Sequence, residues 1–204
     1  LSVVGQDTEL LLPKSPKPLP QFPNSEIIGR ILGMTDIMSR PSNDPLQASA
    51  NGVLYDDNLV AWERQVVGNA VGKTNQRFLQ TSQGYVWASL VQPTRNLPNI
   101  PITNMPAGAA GFWAEVTVPY IDLTLEGPVV SSWLQSLIAY NFPPRLYYGQ
   151  VVWIDQVRLD SSGVVFYRWN ESSGHGYGPG DIFWAAGAGL KILAEEDIAP
   201  ISPD

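Results

Sequence analysis

The chain has 204 residues, a formal net charge of −7, 44% hydrophobic and 15% charged residues, 18 Gly, 18 Pro and no Cys. Its apolar content excludes a wholly disordered chain, and the absence of cysteine excludes disulfides, zinc–thiolate sites, iron–sulfur clusters and thiol nucleophiles. A pI near 4.6 without any Lys/Arg run leaves no basic patch to neutralise phosphates, so nucleic acid and anionic membrane are not expected partners.

In chain order, residues 1–25 form an arm whose segment 13–23, Pro-Lys-Ser-Pro-Lys-Pro-Leu-Pro-Gln-Phe-Pro, loses backbone donors at nearly every second or third position and favours an extended polyproline path. From there the pattern is strand. Short runs rich in Val, Ile, Trp, Tyr and Phe, bounded by Gly, Asn, Asp or Pro, predict strands over residues 26–32, 37–40, 59–67, 76–81 and 84–88, within a first domain spanning 26–95. Residues 96–111, Pro- and Gly-rich and without periodicity, read as a linker. A second domain over 112–194 carries predicted strands at 114–118, 121–125, 150–159, 164–170 and 181–185, with a short helical stretch at 129–140. Residues 195–204, with Glu195-Glu196-Asp197, form an acidic exit segment. No apolar stretch reaches the roughly 18 residues of a membrane span, and Leu10-Leu11-Leu12 is too short for a signal core. A start at Leu1 suits a processed or trimmed amino terminus.

The two halves share one plan. Gly29-Arg30-Ile31 matches Ala114-Glu115-Val116, and Ile37-Met38-Ser39-Arg40-Pro41 matches Leu123-Thr124-Leu125-Glu126-Gly127-Pro128. Leu54-Tyr55-Asp56-Asp57 before Leu59-Val60-Ala61-Trp62 matches Leu146-Tyr147-Tyr148-Gly149 before Val151-Val152-Trp153. Arg77-Phe78-Leu79 then aligns with Tyr167-Arg168-Trp169, and Gly84-Tyr85-Val86-Trp87-Ala88 with Asp181-Ile182-Phe183-Trp184-Ala185. Five short strands with a long loop after the second and tight hairpins later predict a small, partly open barrel in each half.

This order of Gly-Arg-Ile, Arg-Pro, a long loop, Leu-Tyr-Asp-Asp-x-Leu-Val and Gly-Tyr-Val-Trp-Ala resembles a bacterial SH3-like domain, with the second half a more diverged copy. The tandem pair, followed by Leu-Lys-Ile-Leu-Ala-Glu-Glu-Asp-Ile-Ala-Pro, is similar to the amino-terminal region of envelope L,D-transpeptidase-like proteins. The resemblance implies an all-β chain of two small SH3-like barrels in tandem, joined by the Pro/Gly-rich linker. It also implies that any transpeptidase chemistry lies outside this chain, because that family's nucleophile is a Cys in Ser-x-Gly-Cys and this chain has none.

Several local patterns suggest chemistry and are outweighed. Gly68-Asn69-Ala70-Val71-Gly72-Lys73-Thr74 has three residues between its glycines where a phosphate cradle needs four, and a predicted strand follows it instead of a helix. His175, in a Gly-rich loop, has no second His or Cys to share a metal. Asp122, Glu126, Asp155 and Asp160 offer carboxylate pairs for glycoside hydrolysis, although a small barrel provides no deep cleft. No metal site, catalytic residue or cofactor is therefore expected.

Aromatic crowding is the stronger signal, since residues 112–204 hold 15 of the 21 aromatics. The long loop of the second half carries Trp133, Tyr140, Phe142, Tyr147 and Tyr148, where no strand pattern demands burial. These five are the candidate ligand-binding residues, able to stack on sugar rings or hold an extended peptide, unless the insertion folds over its own barrel and buries them. The expected role is a non-catalytic cell-wall binding or positioning module, extracellular or in the cell envelope, with peptidoglycan or another envelope protein as partner. The competing expectation is a structural subunit of an extracellular assembly that meets neighbouring chains through residues 1–24; a hydrolase comes third.

Overall fold

The structure, a computed structural model, describes residues 16–23, 25, 27–172 and 180–198. The chain is mostly β and builds two large antiparallel sheets and a two-stranded one, and none closes into a barrel among the described residues. Gln21–Asn96 form one compact unit; the residues from Leu97 onward, with residues 16–20, form the other.

The first unit consists of β1 (Ile28–Ile31), β2 (Thr35–Met38), β3 (Ala50–Leu54), β4 (Leu59–Val67), β5 (Arg77–Thr81), β6 (Gly84–Trp87) and β7 (Val91–Thr94), in the order β3-β2-β6-β5-β4-β1-β7. The nine-residue β4 makes this sheet possible. A bulge between Trp62 and Arg64 bends it, so that its first half pairs with β1 and its second half with β5. Ile31, Ile37, Leu79, Val86 and Val91 form the core inside that bend, with Leu54, Val60, Trp62 and Ala88 packed against it.

The second unit repeats the arrangement with β8 (Phe112–Val116), β9 (Tyr120–Asp122), β10 (Thr124–Glu126), α1 (Ser132–Ala139), β11 (Arg145–Tyr147), β12 (Val151–Leu159), β13 (Val165–Asn170), β14 (Ile182–Ala186) and β15 (Leu190–Ile192). Its main sheet runs β10-β14-β13-β12-β8-β15, and β9 pairs separately with β11. The nine-residue β12 is bulged between Ile154 and Gln156, the place that corresponds to the bulge in β4. In each unit a 3-10 turn, Ala88–Leu90 or Gly187–Gly189, leads into the last strand.

One turn recurs almost bond for bond. Asn58 N–H donates to the Tyr55 carbonyl and Gln150 N–H to that of Tyr147; the side-chain oxygens of Asn58 and Gln150 accept from Tyr55 N–H and Tyr147 N–H. Asp57 and Gly149, at the same place in the two turns, both have positive φ, 62° and 81°. Glycine suits that conformation without strain, and Asp is among the few other residues that tolerate it.

Counting from the bulges, Phe78 corresponds to Phe166 and Leu79 to Tyr167, because Arg64–Gln80 and Gln156–Arg168 are the first pairs beyond them. The alignment of Arg77-Phe78-Leu79 with Tyr167-Arg168-Trp169 is therefore displaced by two residues, and so is that of the closing aromatic strands. A two-residue slip keeps every side chain on its own face of the sheet, so the hydrophobic pattern alone does not detect it.

The other departures have local causes. The predicted strand 121–125 is two strands, because at Leu123 the chain changes partner from β11 to β14 and Leu123 N–H donates to the Pro144 carbonyl. β7 contains Pro93, and a proline cannot donate to a ladder; it is tolerated because β7 ends its sheet. β3, β11 and β15 are short, and Asn-Gly, two flanking prolines or a central Lys mask their pattern.

Residues 97–102, within the expected linker, are hydrogen-bonded to the second unit: Leu97 N–H to the Thr117 carbonyl, Asn99 N–H to that of Ala188, and Ile102 N–H to the Tyr167 hydroxyl oxygen. Tyr167 occupies the position of Leu79 in a core of limited volume. Its larger ring fits because Gly187 replaces Ala88; a Cβ on Gly187 would lie 3.2 Å from that ring.

Burial pushes the Tyr167 phenol above its ordinary pKa, as its neutral form avoids a desolvated charge, while Ile102 N–H partly opposes the shift. A raised folded-state value means stability that is fully present below the unfolded tyrosine pKa of about 10 and declines as pH rises through the folded value. Tyr167→Phe is therefore expected to flatten the alkaline limb of the stability–pH curve of the second unit. At neutral pH it should cost about 1 kcal/mol through the orphaned Ile102 amide. Urea denaturation at pH 7 and pH 10.5 checks both; an alkaline limb as steep as that of the unaltered chain would contradict the first.

Candidate functional site

The loop between β10 and β11 carries the predicted aromatic residues, and its shape is set by two acids from the neighbouring hairpin. Asp181, just before β14, is only 1% exposed; its carboxylate accepts hydrogen bonds from Val130 N–H (2.7 Å), Ser131 N–H (3.1 Å) and the Ser131 hydroxyl. Ser131 in turn caps α1, its oxygen accepting from Leu134 N–H. A carboxylate at this end of a helix both satisfies otherwise orphaned donors and faces the positive end of the helix dipole. Glu171, across the base of the same hairpin, accepts from Asp181 N–H at 3.1 Å and from the indole N–H of Trp133. Gly180 is required between them, since a Cβ there would lie 2.4 Å from Ser172 N.

With its first turn anchored, α1 buries Leu134 completely and lays Trp133 beside Phe183, ring centres 6.3 Å apart, while Phe183 stacks on Trp169 at 5.3 Å. The helix ends in a Schellman motif: Phe142 N–H donates to the Leu137 carbonyl and Asn141 N–H to that of Ile138, with Asn141 at φ 58°. This reversal leaves Tyr140 77% and Phe142 56% exposed.

The five predicted residues thus separate. Trp133 is a partly exposed member of a packed row of rings, and Tyr140 and Phe142 present their rings to solvent at the end of the helix. Tyr147 and Tyr148 are half-buried in the recurrent turn, the Tyr148 amide donating to the Pro119 carbonyl.

The four acidic residues suggested by the sequence each have a partner. Asp122 pairs with Arg145 at 2.7 Å. Asp155 holds Arg168 through both oxygens, at 2.8 and 3.1 Å, and keeps that guanidinium firmly charged. Glu126 accepts from the Trp184 indole N–H at 2.6 Å and lies 3.8 Å from Arg168. The Asp160 carboxyl is held below the ordinary range, chiefly by Ser162 and also by Val164 N–H, in the turn between β12 and β13. Among the described residues no three His, Asp or Glu side chains gather where they would hold a metal ion. His175 lies outside the described residues.

The 68–74 loop leads into β5, and its interior is filled by Gln76. That side chain accepts from Ala70 N–H (2.7 Å) and donates to the carbonyls of Ala70 and Lys73, so the Ala70 amide is already engaged within the loop.

Sequence reasoning did not foresee one further feature. The first unit has an open groove of about 120 Å³ walled by Thr35, Asp36, Met38, Asn43, Lys73 and Trp87. Lys73 Nζ lies 5.2 Å from the centre of the Trp87 ring, whose N–H donates to the Asn75 carbonyl. These walls come from β2, the loop after it, the β4–β5 loop and β6, so no contiguous motif announces them.

No protein-family model, curated protein sequence or solved structure matches the chain.

Proposed function

We propose that the chain is a non-catalytic binding module of two SH3-like units, which holds peptidoglycan or a protein of the cell envelope for chemistry carried out by another domain. The SH3-like reading is supported by the shared strand order, the bulged nine-residue strand that serves both parts of each sheet, the 3-10 turn before the last strand and the recurrent turn at Tyr55 and Tyr147. A thiol mechanism has no nucleophile in this sequence, and the acids suggested by spacing are engaged with Arg145, Arg168, Trp184 and the 160–164 turn.

The observation that carries the binding role is the exposure of Tyr140 and Phe142 at the reversal that ends a helix pinned at its other end by Asp181. Rings held out on a rigid support stack on sugar faces or grip an extended peptide at little entropic cost, because the support is already ordered.

Co-sedimentation with purified peptidoglycan sacculi tests this. Retention well above that of a charge-matched control protein is expected, reduced at least about tenfold in Tyr140→Ala/Phe142→Ala, the loss of roughly 1.4 kcal/mol that two stacking contacts readily supply. Retention no greater than the control, or unchanged in the double variant, would refute the wall-binding role.

A further inference from the structure

The groove of the first unit has an apolar bed and two uncommitted charges. Burial alternates along β2, with Thr35 and Ile37 buried, Asp36 exposed and Met38 partly exposed, as strand geometry requires. Met38 pairs with Tyr85, two residues from Trp87, so Met38 and Trp87 are diagonal neighbours on one face of the sheet. Ala70 and Phe78, each 1% exposed, complete the lining.

The walls are held in place before any ligand arrives. The Trp87 ring is fixed by the bond from its N–H to the Asn75 carbonyl. Asn43 joins the loop after β2 to the β4–β5 loop, its side chain accepting from Val71 N–H at 2.6 Å and donating to the Val71 carbonyl at 3.3 Å. Gln76 holds the Lys73 carbonyl, which steadies the backbone that presents the Lys73 ammonium.

Lys73 Nζ lies 5.2 Å from the centre of the Trp87 ring and makes no ion pair or hydrogen bond among the described residues. The Asp36 carboxylate borders the same groove and has neither kind of partner among them. The two charges are therefore more than 4.0 Å apart, each free to meet a ligand. Thr35, only 9% exposed, adds a hydroxyl that no described residue engages.

We propose that this groove binds an aliphatic zwitterion, a short run of methylenes with a carboxylate at one end and an ammonium at the other. A free ω-amino acid and a carboxy-terminal lysine both present that chemistry. Lys73 receives the carboxylate, Asp36 the ammonium, and the methylenes lie against Met38 and Trp87, where burying them is favourable. The volume, about 120 Å³, is near the roughly 150 Å³ of a cavity that takes a benzene ring, so it suits a slender chain. A plain acid meets Asp36 unpaired and a plain amine meets Lys73 unpaired, which gives the groove its selectivity. The inference does not rest on wall binding, since it concerns a different unit and a different ligand.

The test titrates 6-aminohexanoate into the full-length chain at low salt and follows it by NMR. Saturable shifts of the Trp87 indole N–H and the Met38 amide are expected, with hexanoate and hexylammonium each binding at least about threefold more weakly. Asp36→Asn should weaken 6-aminohexanoate at least about threefold without weakening hexanoate. Lys73→Met, which keeps the aliphatic stem, should weaken it as much without weakening hexylammonium. Both positions are exposed, so the variants are expected to fold, and the dispersion of the same spectra checks it.

No saturable shift at Trp87, hexanoate binding as tightly as the zwitterion, or equal affinity in both variants would overturn the proposal. A titration with acetyl-Gly-Lys, which has a free carboxylate, separates the sources: affinity matching 6-aminohexanoate supports a carboxy-terminal lysine, and loss of affinity supports a free ω-amino acid. Sacculus retention is read separately and should be unchanged in Asp36→Asn and Lys73→Met, so failure of either reading leaves the other standing.

Discussion

Asp181→Ala should destabilise the second unit by about 3 kcal/mol or more, since three donors, Val130 N–H, Ser131 N–H and the Ser131 hydroxyl, lose a buried carboxylate together. No water replaces it easily, because the residue is 1% exposed. The loss also travels. Asp181 N–H positions Glu171, which holds the Trp133 indole, so the first turn of α1 and its aromatic row loosen together. Denaturant unfolding should show the lower stability, and tryptophan emission should shift to the red before global unfolding. Sacculus retention should fall as well, although neither Tyr140 nor Phe142 has been touched. Asp181→Asn, which keeps one carbonyl oxygen, should cost less, about 1–2 kcal/mol. A cost within about 0.5 kcal/mol for Asp181→Ala would show that the helix is held by something else.

Phe78→Ala and Phe166→Ala form the second experiment, a matched pair. Each ring is 1% exposed and sits at the same register from the bulge in the neighbouring nine-residue strand, so each deletion should cost about 3–5 kcal/mol through lost burial and the cavity left behind. The effects should be confined. Phe78→Ala is expected to lower only the transition of the first unit and Phe166→Ala only that of the second, because each ring packs within its own sheet. Calorimetry that finds one transition moved equally by either substitution would show a single cooperative fold in place of two.

The Pro-rich composition, the alternation of apolar residues and the doubling were legible along the chain because they depend on neighbours in sequence. The predicted strand at 59–67 coincides with β4, since a nine-residue run of strand-forming residues between turn signals leaves little ambiguity. The helical stretch at 129–140 contains α1 and its Ser131 cap for a similar local reason. β7 and β15 escaped notice because three or four residues, one of them a proline in β7, do not make a periodic signal.

The site divides along the same line. That the second half carries surplus aromatics is a matter of composition, and the sequence alone determined it, together with the lack of a thiol and the all-β character. Which rings remain outside was decided by the tertiary structure. Trp133 finds Phe183 and Glu171, residues far along the chain, whereas Tyr140 and Phe142 follow a helix reversal that turns them outward. The groove beside Trp87 and the partners that engage Asp122 and Asp155 likewise join segments with no common motif. Local pattern is encoded by side-chain size and polarity at short spacing; pairing across long separations is set by register, bulges and the space left in the core, and these exist only once the chain has folded.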